Sequence, residues 1–343
     1  MSKLKLFSIF PTLLLSFICL CAAAKNSGQP LLPGILINPV PGAVAKNPAE
    51  EFSHPQGYDE FFPAKEPSFT ELLTPPDEWD GTGEHEIREL TIIDGASENQ
   101  QSKVHFSNRT DYTIDINDYV AAKPKVSLKK TDEPQVLIVH THATESYLSR
   151  EASGIDGSTA KRSTSPNENM LAVGKRLISV LEEGGIACLH DTSLHDHPVY
   201  SGSYGRAADS IADYLKKYPS VKVVLDLHRD AVWKDDGTRL KPTVLVGEKK
   251  AAQIMIISGT DKGGLEFDTW RDNLALAASL QYAGDRKYPG LLRPLNIAAA
   301  RYNMHFTSGS LLLEFGSDVN TLDEALYSAE LMGEILLEVL LGD

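Results

Sequence analysis

The sequence predicts an α/β domain built on a single open, twisted and mostly parallel sheet flanked by helices, with a disordered spacer ahead of it. From about Gln135 onward, β-branched apolar runs alternate with stretches whose apolar residues recur at helical spacing, the pattern of parallel strands joined by helical crossovers. Two of these runs end in ionisable residues. Val136, Leu137, Ile138 and Val139 lead into His140, Thr141, His142, Ala143, Thr144 and Glu145, and a second run ends Asp226, Leu227, His228, Arg229, Asp230. In open α/β sheets the ligand crevice lies at the carboxyl ends of the strands, so both clusters fall where chemistry is expected.

The elements follow in order. The first central strand ends at Val139 or His140. Pro166 or Asn167 opens a helix whose Leu171, Val173, Leu177, Ile178 and Leu181 share one face, and Gly184 and Gly185 stop it before a short strand at 186–189. A helix over 203–217 ends before Pro219, and a buried, β-branched strand over 221–227 places His228 at its carboxyl end. Strands near 243–246 and 253–258, a helix near 269–283, a strand at 310–315 and a closing helix over 322–341 complete the domain. Short alternating runs at 90–94 and 103–106 predict strands upstream. There is no internal repeat.

Ahead of the domain, Lys3 and Lys5 precede an uncharged apolar stretch, 6–24, ending Ala22, Ala23, Ala24. This has the form of a signal peptide with a small-residue cleavage site, and its length equally suits a membrane anchor in which Pro11 is tolerated. The protein is therefore expected outside the cytoplasm, anchored at the extracytoplasmic face of the membrane or secreted. Ile18 and Leu20, not small residues, precede Cys19 and Cys21, which argues against lipidation. Cys188 is the only cysteine beyond this segment, so neither a disulfide framework nor a cysteine metal cluster is available. Residues 25–86 are rich in Pro, Gly, Asn and acidic residues, as in Pro30, Pro33, Pro39, Pro41, Pro48 and the Pro75-Pro76-Asp77 turn, and form an extended spacer. The division is thus 1–24 signal or anchor, 25–86 spacer, 87–134 strands leading into the domain, and 135–343 catalytic domain. A net charge of −14 and a pI near 5.2 exclude nucleic acid as the main partner, because a phosphate backbone would be repelled.

The chemistry lies in a small set of residues. His142-x-x-Glu145 with the distant His228 suits a zinc ion held by two imidazoles and a carboxylate, with one tetrahedral position left open. His140 competes with His142 for the ligand role; a tight loop brings a residue three positions on to the same side, which favours His142 and leaves His140 as a supporting or substrate contact. Glu314 sits within the apolar run Leu311, Leu312, Leu313, Glu314, Phe315, where a lone carboxylate costs several kcal/mol unless it is protonated, paired or facing a cation, so it is the candidate general acid and base. Arg229 and Arg301 are candidate contacts for a substrate carboxylate or oxyanion. Tyr200, Tyr204 and Arg206 are weaker candidates for a groove, and the stretch Leu189, His190, Asp191 through His195, Asp196, His197 is a loop beside the site. No G-x-S-x-G elbow and no cysteine motif supports a covalent nucleophile.

These stretches resemble the stage II sporulation protein P family, which belongs with the zinc-dependent N-acetylmuramoyl-L-alanine amidases. The resemblance rests on His140-Thr141-His142-Ala143-Thr144-Glu145-Ser146-Tyr147, on Asp226-Leu227-His228-Arg229-Asp230-Ala231, on the stretch from Asn303 ending Ser310-Leu311-Leu312-Leu313-Glu314, and on Asn320 with Glu324-Ala325; it covers about 104–342. It implies an amidase or zinc-carboxypeptidase-like fold, with His142, Glu145 and His228 as zinc ligands and Glu314 as acid/base. It also implies a peptidoglycan substrate cut between N-acetylmuramic acid and L-alanine, cross-bridge peptides as further targets, and a role in septal wall remodelling during endospore engulfment. A companion lytic transglycosylase and membrane engulfment proteins are the implied partners. Phe315 and Thr307 depart from the smaller aliphatic residue and the proline expected there. The alternatives are a zinc carboxypeptidase or endopeptidase acting on wall peptides, and a non-catalytic wall-binding scaffold.

Overall fold

The computed structural model describes residues 80–93, 97–98, 104–156 and 162–342. The expected signal or anchor segment, and the spacer as far as residue 79, lie outside the described residues.

The strands are β1 (His85–Leu90), β2 (Ser97–Glu98), β3 (His105–Asn108), β4 (Thr131–Val139), β5 (Gly154–Ile155), β6 (Ile186–His190), β7 (Val223–Asp230), β8 (Arg239–Val246), β9 (Lys249–Ala252), β10 (Ile254–Gly259), β11 (Leu295–Ala298) and β12 (Ser310–Ser317). The helices are α1 (Ile116–Ala122), α2 (Met170–Glu183), α3 (Ser203–Lys217), α4 (Trp270–Lys287) and α5 (Leu322–Leu341). Among the described residues, eight strands form the main sheet in the order β2-β3-β11-β10-β12-β7-β4-β6. Its centre, β12-β7-β4-β6, is parallel throughout, β11 runs parallel to β3 and β10, and only the β2-β3 and β10-β12 pairs are antiparallel. The mostly parallel, helix-flanked sheet expected from the alternating pattern is the observed one.

A second, four-stranded sheet in the order β5-β1-β8-β9 corrects the expectation of a single sheet. The run expected at 243–246 belongs to it, because β8 pairs in parallel with β1, Ile87 opposite Arg239, and turns through Gly247 into β9. Such a pairing joins segments far apart in sequence, and no local pattern announces it. Helix α1 and strands β9 and β11 likewise lie outside the elements that the sequence predicts. Lys241 of β8 is 2% exposed and bridges Glu151 at 2.6 Å and Glu324 of α5 at 2.8 Å. That carboxylate also takes part in the capping box with Thr321 that starts α5.

Strand parity sets the two faces of the main sheet. Register pairs Val139 with Asp226 and His228 with Glu314. Side chains alternate along a strand, so Asp226, His228, Asp230 and Glu314 share one face with Leu137, Val139 and Val224. Ile211 of α3 packs against Leu137, Val139 and Val224 on that side. Val136, Ile138, Leu225, Leu227, Leu313 and Phe315 join the main core with Leu177 and Leu181 of α2 and Leu331 and Ile335 of α5. Most of the chain's apolar burial is therefore on the α2/α5 side, and the ionisable residues are gathered on the other.

Candidate active site

The chain turns sharply after β4. The Glu145 N–H donates to the His142 carbonyl at 3.1 Å, and this one turn swings both side chains over the end of β7. Asn169, the N-cap of α2, secures the loop from behind, since the adjoining Met170 N–H donates to the Glu145 carbonyl at 3.0 Å. The rings of His142 and His228 meet edge to face with centroids 5.2 Å apart. Glu145 Oε2 lies 3.6 Å from His228 Nδ1 and accepts from the Arg229 N–H at 3.1 Å. Glu314 stands beside His228 on the neighbouring strand. At the end of β12 the register shifts between Glu314 and Ser317, with Gly316 at φ +67, a conformation suited to glycine that bends the strand just beyond the carboxylate.

These groups are 3–6% exposed, and their electrostatics follow from that. Burial, with the charges of His228 and Arg162 and against the pull of Glu145 and Asp226, pushes His142 well below its usual imidazole value. For His228, burial acts the same way, but the carboxylates of Asp226 and Glu145 overcome it and hold the ring protonated. Burial raises Glu145 too, and its contacts with His228 and the charge of Arg229 outweigh that and hold it ionised. Glu314 is the converse: burial, reinforced by Asp230 and Glu145 against the pull of His228, pushes its carboxyl up to about 8. Two carboxyl groups in one site are thus held in opposite states, the separation that acid/base chemistry requires.

Aromatic rings wall the site. Tyr200 stacks on His142 with centroids 4.6 Å apart and its hydroxyl lies 3.1 Å from His142 Nε2, while Tyr204, from the first turn of α3, stacks over His228 at 6.4 Å. Tyr302 approaches Tyr204 at 5.8 Å with φ +47, the left-handed region that is uncommon for a side chain of this size.

Among the described residues, no three His, Cys, Asp or Glu side chains stand close enough to form a ready-made metal cage. His142, Glu145 and His228 nevertheless fit a zinc ion in kind: two imidazoles and one carboxylate, all buried. His228 Nε2 is buried and lacks an aligned hydrogen bond, although Asp226 Oδ1 is 3.0 Å away. The carboxylates flanking His228 favour positive charge there.

The structure brings His142, Glu145, His228, Glu314 and the backbone of Arg229 together, and it separates the other two candidates. His140 has the parity of the opposite face. It is fully buried, its Nδ1 lies 3.2 Å from the Leu227 carbonyl and its Nε2 2.8 Å from His190 Nε2, so both nitrogens are engaged within the fold. Gly174 of α2 makes room for this pair, since a Cβ there would lie 2.6 Å from His140 Nε2. The Arg229 side chain donates to the Ser146 carbonyl at 3.2 Å and ties the ligand loop to β7. Arg301 follows β11, whose carboxyl end points toward the opposite edge of the sheet, and it donates to the Glu266 carbonyl at 3.2 Å.

Two residues escaped the sequence. Arg162 donates to buried Asp196 at 2.6 Å and to Thr144 Oγ1 at 3.0 Å, lies 3.6 Å from Glu145 Oε1, and covers the Tyr200 ring at 4.8 Å. It comes from a polar stretch with no period, so nothing marked it. Asp226 did carry a signal: it lies two residues before His228 in a strand, hence on the same face.

Residues 75–337 match the family described as Stage II sporulation protein P (SpoIIP). A curated relative, Stage II sporulation protein P of Bacillus subtilis (strain 168), is 28% identical over 219 residues, covering 61% of this chain and 51% of its own, so the chain spans about half the length of that relative. Among solved structures, N-acetylmuramoyl-L-alanine amidase AmiC2 of Nostoc punctiforme aligns at 16% identity and TM-score 0.35, covering 61% of this chain and 96% of its own. The apo form of the amidase Ami1 from Mycobacterium abscessus aligns at 12% identity and TM-score 0.33, covering 61% and 98%. Similarity of this size carries no argument about function.

Proposed function

The chain belongs to the Stage II sporulation protein P family, and on that premise we propose that it is a zinc-dependent N-acetylmuramoyl-L-alanine amidase. Its substrate is peptidoglycan, cut at the amide between N-acetylmuramic acid and L-alanine during septal wall remodelling in engulfment. The observation that carries this is the pairing of Glu314 with His228 on adjacent strands, beneath the turn that presents His142 and Glu145. His142, Glu145 and His228 would hold the metal. Zinc, when bound there, supplies Lewis acidity toward a scissile carbonyl and makes an attacking water acidic enough to ionise near neutral pH.

The chain's own groups do the rest. Glu314, a buried carboxyl beside His228 where a cation would sit, would take a proton from the attacking water and deliver one to the leaving amine nitrogen. Tyr200 and Tyr204 exclude water from one side of the histidines and offer flat surfaces to a glycan or peptide. Burial to this degree strengthens each charge–charge contact in the site.

Localisation and partners belong to the same proposal. Residues 6–24 export or anchor the chain at the extracytoplasmic face, and a companion lytic transglycosylase and membrane engulfment proteins work beside it. The test is digestion of purified peptidoglycan by the full chain with zinc, with a chelator, and as Glu314→Ala, with released fragments identified by mass spectrometry. Stem peptides beginning with a free L-alanine amine, lost with the chelator and in the variant, are expected. Fragments cut only within peptides would replace the amidase by a zinc endopeptidase or carboxypeptidase, and no zinc-dependent release would leave a wall-binding scaffold.

A further inference from the structure

Asp226 has no part in the chemistry above, yet it is one of the most tightly held side chains at the site. It is 6% exposed, its Oδ1 accepts from the Thr141 N–H at 2.8 Å, and its Oδ2 accepts from the Thr141 hydroxyl at 2.6 Å. Thr141 is itself fully buried and immediately precedes His142. The placement follows from register: Val139 pairs with Asp226, so the chain leaving β4 passes directly over the Asp226 carboxylate. Two residues along β7, on the same face, His228 sits with its ring between two carboxylates. Nε2 lies 3.0 Å from Asp226 Oδ1, close but not aligned for a hydrogen bond, and Nδ1 lies 3.6 Å from Glu145 Oε2.

A histidine that binds a metal through one ring nitrogen donates from the other, and the partner of that second nitrogen fixes which one is which. We propose that Asp226 is a positioning residue: anchored by Thr141 and 3.0 Å from His228 Nε2, its carboxylate takes the Nε2 proton when a small turn of the ring brings the two into line, and leaves Nδ1 as the nitrogen that faces Glu145 and the metal. This rests on the zinc assignment made above and adds to it a choice of ring nitrogen and a rigid support. Thr141, Asp226 and His228 then form one chain of contacts from the loop that carries His142 to the strand that carries His228. The two histidine ligands are thereby set relative to each other before any metal arrives. Because Asp226 acts through Thr141 and His228, its effect is on metal affinity and ring orientation.

The test uses the full-length protein. Zinc affinity is measured by competition with a chromophoric chelator in the wild type, Asp226→Asn and Asp226→Ala, with thermal melts to identify folded variants. Nuclear magnetic resonance of ¹⁵N-histidine-labelled, zinc-loaded wild type reports which nitrogen of His228 keeps its proton. Asp226→Ala is expected to weaken zinc binding about 10- to 100-fold. Asp226→Asn, which preserves shape and removes charge, weakens it by less, and the proton is found on Nε2. Unchanged affinity in the folded variants, or a proton on Nδ1 with Nε2 bound to zinc, overturns this inference and leaves the zinc assignment standing. Failure of the wild type to bind zinc at all overturns both.

Discussion

Replacing Glu314 with glutamine should abolish hydrolysis and yet stabilise the metal-free fold in alkaline solution. The side chain is 5% exposed within an apolar strand, and its carboxyl is carried from 4.5 up to about 8, chiefly by burial and then by Asp230 and Glu145. The folded chain therefore holds on to a proton that the unfolded chain releases, so stability is complete below about pH 4.5, falls as pH rises toward 8, and levels off above. At about 1.4 kcal/mol for each pH unit, the full span amounts to at most about 5 kcal/mol, and relaxation of the pocket reduces it to roughly 2–5 kcal/mol. Glutamine has nearly the same shape as the protonated acid and pays none of this. Urea denaturation of chelator-treated wild type and Glu314→Gln should give nearly equal stabilities at pH 4.5 and a variant more stable by roughly 2–5 kcal/mol at pH 9. A difference that does not change with pH, or a variant less stable than wild type at pH 9, would refute the reasoning.

Three further outcomes are expected. Lys241→Met leaves the buried Glu324 carboxylate without its cation and should cost about 3–5 kcal/mol by chemical denaturation, largely recovered when Glu324→Gln is added; additive losses in the double variant would contradict the pairing. Gly174→Ala improves intrinsic helix propensity by about 1 kcal/mol but drives a methyl group into the His140–His190 pair, so a net destabilisation of about 1–3 kcal/mol is expected in thermal melts, and a stabilised variant would show that the pair yields. Arg162→Met strands Asp196, which is buried, and releases Glu145, so it should lower stability by about 3 kcal/mol and also weaken zinc binding; an unchanged melting temperature would mean that Asp196 is supported by Thr144 alone.

What the sequence disclosed was the part governed by local period. The helix from Ser203 and the closing helix to Leu341 are bounded where Pro219 and the apolar spacing put them. The strand ends bearing His142, His228 and Glu314 converge because parallel neighbours deliver their carboxyl ends to one edge. The second sheet was hidden because β1 and β8 meet only through tertiary folding. Strand parity separates His140 from Asp226 and His228, but that requires the register between β4 and β7, which spacing along one chain does not supply. Arg162 lay beyond any pattern: its importance comes from a buried Asp196 on a different loop. Arg301 follows β11, an element that no local pattern marks, and β11 runs against β12 and β7.

The zinc content of the purified full chain after equilibrium dialysis tests the central claim most directly. One zinc per chain in the wild type and in Glu314→Gln, with loss of that zinc in His142→Ala, Glu145→Ala and His228→Ala while the fold persists, is the expected result. A wild type that retains no zinc, or that retains it undiminished when those three residues are replaced, would contradict the account.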